Sequence, residues 1–159
     1  MVPAAAARPT VLYLHGNGGS IAGRTGQARR IAGRRWGLMM LEYRGYGGNP
    51  GTPSKAGLAA DDQGALNALA APGVLPNRVV LYGESLGTGV AVRLAAAQPA
   101  GSPVAAAALD APYTSVADAA QFHYPFVRPA CWCGTPSIPS PASAPSVRRC
   151  WCCKGTRTG

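Results

Sequence analysis

Ser85 stands in Gly83-Glu84-Ser85-Leu86-Gly87, a spacing that suits a nucleophilic hydroxyl. A serine that is to attack a carbonyl has to sit at the tip of a strained turn. Glycines two residues to either side leave room for it, because side chains there would strike the neighbouring strand and helix. By itself Gly-x-Ser-x-Gly is a weak signal, and an ordinary turn in a doubly wound sheet can carry it. The context raises it: the apolar run Val79-Val80-Leu81-Tyr82 precedes the motif and the small-residue run Thr88-Gly89-Val90-Ala91-Val92 follows. That is a strand, a turn and a helix, and the helix N-terminus favours negative charge beside the serine.

Acyl chemistry at Ser85 needs two backbone N–H groups aimed at the developing oxyanion, one from the residue after the nucleophile and one from a second loop. Leu86 is the first candidate. The glycine-rich His15-Gly16-Asn17-Gly18-Gly19 segment supplies the second through Asn17. His15 invites a general-base reading, being one of only two histidines. A histidine in such a turn more often orders the loop by hydrogen bonding, and that is the role expected of it.

The elements that must position these groups follow from periodicity. Thr10-Val11-Leu12-Tyr13-Leu14 is a short apolar run ending at the glycine loop and reads as a buried strand. Residues 20–36 read as an amphipathic helix opened by Ser20, with Ile21, Ala28, Ile31, Ala32 and Trp36 on one face and the arginines mostly opposite. Gly37 to Tyr43 is a second strand and Arg44 to Gly51 a loop. Thr52 before Pro53 predicts an N-cap and first turn for a helix reaching about Ala71. Arg78 to Tyr82 is a third strand, Leu86 to Gln98 a third helix, and Val104 to Leu109 a fourth strand ending at Asp110. Regular alternation with short connections and apolar strands predicts the α/β class, a parallel sheet with helices on both faces. In such sheets ligands gather at the carboxyl ends of the strands, where His15, Tyr43, Ser85 and Asp110 all fall.

Five segments in order resemble the α/β-hydrolase superfamily, in the branch of serine-aminopeptidase-like and depalmitoylase-type hydrolase-domain proteins. They are Leu14-His15-Gly16-Asn17-Gly18-Gly19, Glu42-Tyr43-Arg44-Gly45-Tyr46-Gly47, Gly57-Leu58 with Asp61, Tyr82-Gly83-Glu84-Ser85-Leu86-Gly87 and Ala111-Pro112-Tyr113-Thr114-Ser115. The similarity covers about residues 9–129. It implies acyl transfer to water on a small-molecule or acyl substrate, with no cofactor and no metal. In that family the acid follows a later strand and the base histidine follows the acid. Here no Asp or Glu occurs after Asp118, and His123 is the only histidine beyond Ser85. Asp110 or Asp118 with His123 could formally complete a triad in the right order, although the family's pattern places its acid and base at none of them. The resemblance therefore implies a truncated fold that starts at the family's third strand, keeps the nucleophile and lacks the usual partners. A non-catalytic, vestigial protein is the alternative. Missing strands would leave sheet edges exposed, so marginal stability is also expected.

Composition bounds the remaining classes. At 159 residues and 47% hydrophobic, one domain with a real core is expected. It is read as a partial hydrolase domain over 1–129 and an irregular tail over 130–159. The net charge of +9 comes largely from Arg24, Arg29, Arg30, Arg34 and Arg35 and from the acid-free tail, with no interleaved aromatic residues near the first group. A solvated helix face accounts for it, so nucleic-acid binding is not expected. No apolar run is long enough to span a membrane and no signal peptide is visible, making the cytoplasm the default location. Nothing in the sequence speaks to oligomeric state.

The tail carries Cys131-Trp132-Cys133 and Cys150-Trp151-Cys152-Cys153, without the C-x₂-C pairs of zinc ribbons and with Pro136, Pro139, Pro141 and Pro145 between. A frameshift explains it better than a metal site. Read one nucleotide earlier, the codons for Cys131 to Pro139 permit Leu-Leu-Val-Arg-Asp-x-Phe-Asp-Ser. Those for Cys150 to Thr158 permit Leu-Leu-Val-Leu-Gln-Gly-Asp-x-Asp. Both resemble family segments, the second being the strand and turn that carry the catalytic aspartate. Such a tail would be an unselected peptide, disordered by composition.

Overall fold

The computed structural model describes residues 1–112 and the backbone of the strand Cys150–Cys153. Strands β1 (Thr10–Leu14), β2 (Gly37–Leu41), β3 (Val79–Glu84), β4 (Ala106–Asp110) and β5 (Cys150–Cys153) form one sheet in the order β2-β1-β3-β4-β5. Every ladder is parallel, with Leu12 of β1 opposite Met39 of β2 and Leu81 of β3. Helices α1 (Thr25–Gly33), α2 (Lys55–Ala70) and α3 (Leu86–Ala96) make the crossovers. The tail was expected to be irregular, yet its Cys150–Cys153 segment runs beside β4 with Ala107 opposite Cys150. Parallel pairing with an open strand edge satisfies backbone groups whatever the side chains. The rest of the tail, with its proposed frameshift, lies outside the described residues.

Alternation of side chains along the strands builds two apolar layers. Leu12, Leu14, Val79, Leu81, Ala107 and Leu109 face α2 and α3, meeting Leu66, Leu69, Val90, Ala91 and Leu94. Val11, Tyr13 and Leu38 face the other way, where Ala28 and Ile31 of α1 and Trp36 cover them. Helices therefore lie on both faces of the sheet, as the apolar pattern requires. All five residues of β1 are buried because it has strands on both edges and helices on both faces.

Several boundaries moved for local reasons. Residues 20–36 are not one helix: Ile21–Arg24 is a 3₁₀ turn and the α-helix runs only from Thr25 to Gly33. Ser20 precedes that turn without a side-chain cap, and the low helix propensity of Gly23 and Gly26 favours the tighter turn. Arg35, at φ 61°, then closes the segment. The N-cap of α2 is Ser54 and not Thr52: its hydroxyl accepts the Gly57 N–H at 3.0 Å. Thr52, preceding a proline, is biased toward extended backbone and sits too early to reach that amide. β2 ends at Leu41, two residues before the expected Tyr43, because Glu42 and Tyr43 turn their carbonyls to the Asn49 side chain.

Candidate active site

β3 is flanked by β1 and β4 and delivers its last residue, Glu84, directly into the turn at Ser85. Ser85 has φ 48° and ψ −113°, a conformation in which a non-glycine residue is strained, and α3 begins at the next residue. Three hydrogen bonds hold the strain. The Ser85 N–H donates to the Asp110 carbonyl at 2.9 Å, and the Thr88 N–H and hydroxyl both donate to the Ser85 carbonyl, at 2.8 and 2.7 Å. Both glycines of the motif are sterically required. A Cβ on Gly83 would lie 2.4 Å from the Gly87 carbonyl oxygen, and one on Gly87 would lie 1.9 Å from that of Leu14. Ser85 itself is exposed, with its side chain at the carboxyl end of the sheet.

The 15–20 loop leaves β1 beside this turn. A Cβ on Gly16 would come within 3.2 Å of Ser85 Cβ and 3.3 Å of the Glu84 carbonyl, so glycine is what allows loop and turn to touch. Asn17 and Leu86, the expected backbone donors, are the chain neighbours of Gly16 and Ser85, the two residues brought together at that contact. Tyr46 donates its hydroxyl to Asn17 Oδ1 at 2.5 Å, steadying the loop from the segment after β2.

His15 is fully buried under the loop. Its Nδ1 lies 2.7 Å from the Gly16 carbonyl, and its Nε2 is 3.1 Å from Glu42 Oε1, although those two atoms are out of line for a hydrogen bond. Tyr43 and Tyr46 pack on the ring at centroid distances of 4.5 and 5.2 Å. With both nitrogens facing oxygens inside the loop, His15 has the surroundings of an ordering residue. Glu42 also accepts the Ile21 N–H at 3.0 Å through Oε2, joining the far end of the loop to the end of β2.

Asp110 stands opposite Glu84 at the end of β4, and Tyr82 donates its hydroxyl to Asp110 Oδ2 at 2.8 Å. Asp118 and His123, the other residues that could complete a triad, lie outside the described residues. The sequence treated Arg24 as part of a solvated arginine face, and here the structure differs. Its side chain is only 14% exposed, and Nε and Nη2 fork onto Glu84 at 3.1 and 3.0 Å. Tyr13 donates to the same carboxylate at 2.5 Å. These bonds, that from Arg24 foremost, hold Glu84 below the usual carboxylate range, while burial and the neighbouring Glu84 push the Tyr13 phenol up. Only pairing across 60 residues reveals this cluster, and no local pattern in the arginine run signals it. Glu42 and Tyr46 lie in one of the family-like segments, and only the fold reveals their partners at the loop, Ile21 and Asn17.

A parallel sheet of this order, covered on both faces, with a glycine-flanked serine turn after its central strand and a glycine loop beside it, defines an α/β-hydrolase. Residues 5–140 match the family model described as serine aminopeptidase, S33, and the chain belongs to that family. An uncharacterized protein of Mycobacterium tuberculosis is 42% identical over 120 residues, covering 75% of this chain and 41% of its own length. The lysophosphatidylserine lipase ABHD12 of Danio rerio is 32% identical over 118 residues, covering 72% of this chain and 31% of its own. Among solved structures, an α/β-hydrolase from Vibrio vulnificus superposes with a TM-score of 0.63 at 35% identity, over 72% of this chain and 42% of that one. The chain thus spans about two fifths of the length of the Mycobacterium relative, 41%. No helix among the described residues is long and apolar enough to cross a membrane.

Proposed function

We propose that Ser85 is the nucleophile of an acyl hydrolase that cleaves a carboxyl ester, thioester or amide through an acyl-enzyme. The observation that carries this reading is the backbone of Ser85 itself, strained at φ 48° between β3 and the first turn of α3. Strain of this kind persists where surrounding structure over-determines it, and here three hydrogen bonds and two steric glycines do so. Attack by Ser85 Oγ would put negative charge on the carbonyl oxygen, and the N–H groups of Leu86 and Asn17 would receive it, aided by the positive end of α3. A lipase among the relatives supports an acyl substrate.

Proton transfer is the step this chain performs poorly. His15 is engaged by Gly16 and Glu42, Asp110 by Tyr82, and no carboxylate follows Asp118. If neither His15 nor His123, which lies outside the described residues, serves as the base, most of the rate should be lost, since triad members act as a unit. These engagements favour a second reading, a non-catalytic protein that keeps the elbow as architecture. Hydrolysis of p-nitrophenyl acetate by the folded chain beside a Ser85→Ala control separates them. Serine-dependent turnover is expected at a low rate; identical rates in the two proteins would leave the non-catalytic reading standing.

A further inference from the structure

We propose that Arg24 and Glu84 form a positioning clamp that fixes the 15–20 loop against the Ser85 turn and so sets the separation of the two oxyanion donors. This rests on the serine-hydrolase reading. Glu84 is the residue immediately before Ser85, and its carboxylate takes three donors: Nε and Nη2 of Arg24 and the hydroxyl of Tyr13. The third nitrogen of Arg24, Nη1, donates to the Ser20 carbonyl at 3.1 Å. One guanidinium therefore joins the turn that carries the nucleophile to the end of the loop that carries Asn17.

The loop is fixed at two points on either side of Asn17. At Gly16 it touches the turn, where even a Cβ would press on Ser85 and Glu84. At Ser20 it is tied through Arg24, and Gly19, at φ 79°, is where the chain bends close to that guanidinium: an added Cβ would sit 3.1 Å from Nη1. Between these anchors the exposed residues Asn17 and Gly18 have little freedom to drift away from the turn. The planar fork suits the geometry, since three guanidinium nitrogens reach both Glu84 carboxylate oxygens and the Ser20 carbonyl at once, where lysine has a single nitrogen. Displacing a transition-state donor by about 1 Å can cost on the order of a hundredfold in rate, so a clamp of this kind acts on catalysis more than on substrate binding.

The test uses the full chain and an alkylboronic acid, which forms a tetrahedral adduct with a serine hydroxyl and places an oxygen in the oxyanion pocket. Boronate affinity and amide hydrogen exchange over residues 16–21 are measured for wild type, Ser85→Ala, Arg24→Lys, Glu84→Gln and, as a control on the exposed face of α1, Arg29→Ala. The clamp predicts that Arg24→Lys and Glu84→Gln weaken Ser85-dependent boronate binding about tenfold or more. It also predicts faster exchange in 16–21 with β1 and β3 unchanged, and no effect of Arg29→Ala. Wild-type affinity and wild-type loop exchange in both variants would overturn it. So would exchange that quickens equally across β1 and β3, the mark of a pair that only stabilises the fold. If wild type and Ser85→Ala bind boronate alike, the serine-hydrolase reading fails instead, and localised or unaltered loop exchange decides the clamp by itself.

Discussion

At the scale of single residues, the glycines of the elbow and those elsewhere do different work. Gly87 is pressed against the Leu14 and His15 carbonyls, backbone that has no flexible end to yield. Gly87→Ala is therefore expected to destabilise the chain by about 3 kcal/mol or more, the cost of forcing atoms into a filled space. Gly64, exposed midway along α2, has nothing within 4 Å of an added Cβ. Gly64→Ala should stabilise by about 0.5 to 1 kcal/mol, through helix propensity and a less free unfolded chain. Urea unfolding of the two variants beside wild type checks both signs. The motif spacing made Gly83 and Gly87 legible as glycines with a reason. Which residues brace the loop was not legible, because Glu42, Tyr46 and Arg24 reach it from elsewhere in the chain.

At the scale of elements, α2 and α3 are joined by an ion pair that burial makes sensitive to pH. Asp62 is fully buried and Arg93 Nη2 reaches its Oδ2 at 2.6 Å from a one-third exposed position, 33%. Burial dominates and raises the Asp62 pKa from an ordinary 3.8 to about 6, with Arg93 pulling against it. The folded chain thus keeps a proton on Asp62 that the unfolded chain has already released. Between about pH 4 and pH 6 the folded state binds more protons, so this residue's contribution to stability falls as pH rises, by on the order of 3 kcal/mol over the window. Asp61 and Glu84 act oppositely: Arg44 and Arg24 hold them low, so their contribution is present above the ordinary carboxylate range and is lost as pH falls. Stability measured by urea unfolding from pH 4 to 7 should show the decline in wild type relative to Asp62→Asn, in which the titrating group is gone. A constant difference between the two across that range would refute the assignment. In the same pair of helices the cap of α2 falls at Ser54 where the sequence points to Thr52, because both are good cap types and only the path after Pro53 selects between them.

At the scale of the whole molecule, stability rests on the layer between the sheet and α2 with α3. Leu81 is fully buried at the centre of β3, and Leu81→Ala should cost about 2 to 5 kcal/mol, from lost burial and the cavity left behind. Leu75, 61% exposed in the turn before β3, is the matched control, and Leu75→Ala should stay within about 0.5 kcal/mol of wild type by the same unfolding measurement. The frameshift reading belongs to this scale too. Independent reads of the coding DNA around Pro129 should reveal a one-nucleotide discrepancy, and an unambiguous uninterrupted frame there would remove the explanation for the tail.

The α/β class, the four strands through Asp110, the position of the serine turn and the glycine loop beside it were all determined by sequence alone. Each depends on contacts within a few residues: apolar runs of strand length, glycines that permit one backbone path, and a helix that must begin where the strand stops. Tertiary structure alone decided what surrounds the serine. The fork of Arg24 on Glu84, the burial of His15 against Glu42 and the bond from Tyr46 to Asn17 join residues 60, 27 and 29 positions apart. Pairings at such separation leave no periodic trace in the chain, since any exposed arginine or glutamate satisfies the local pattern equally well. Strand order brings them together, and with it the difference between a charged surface residue and one that ties the loop to the serine turn.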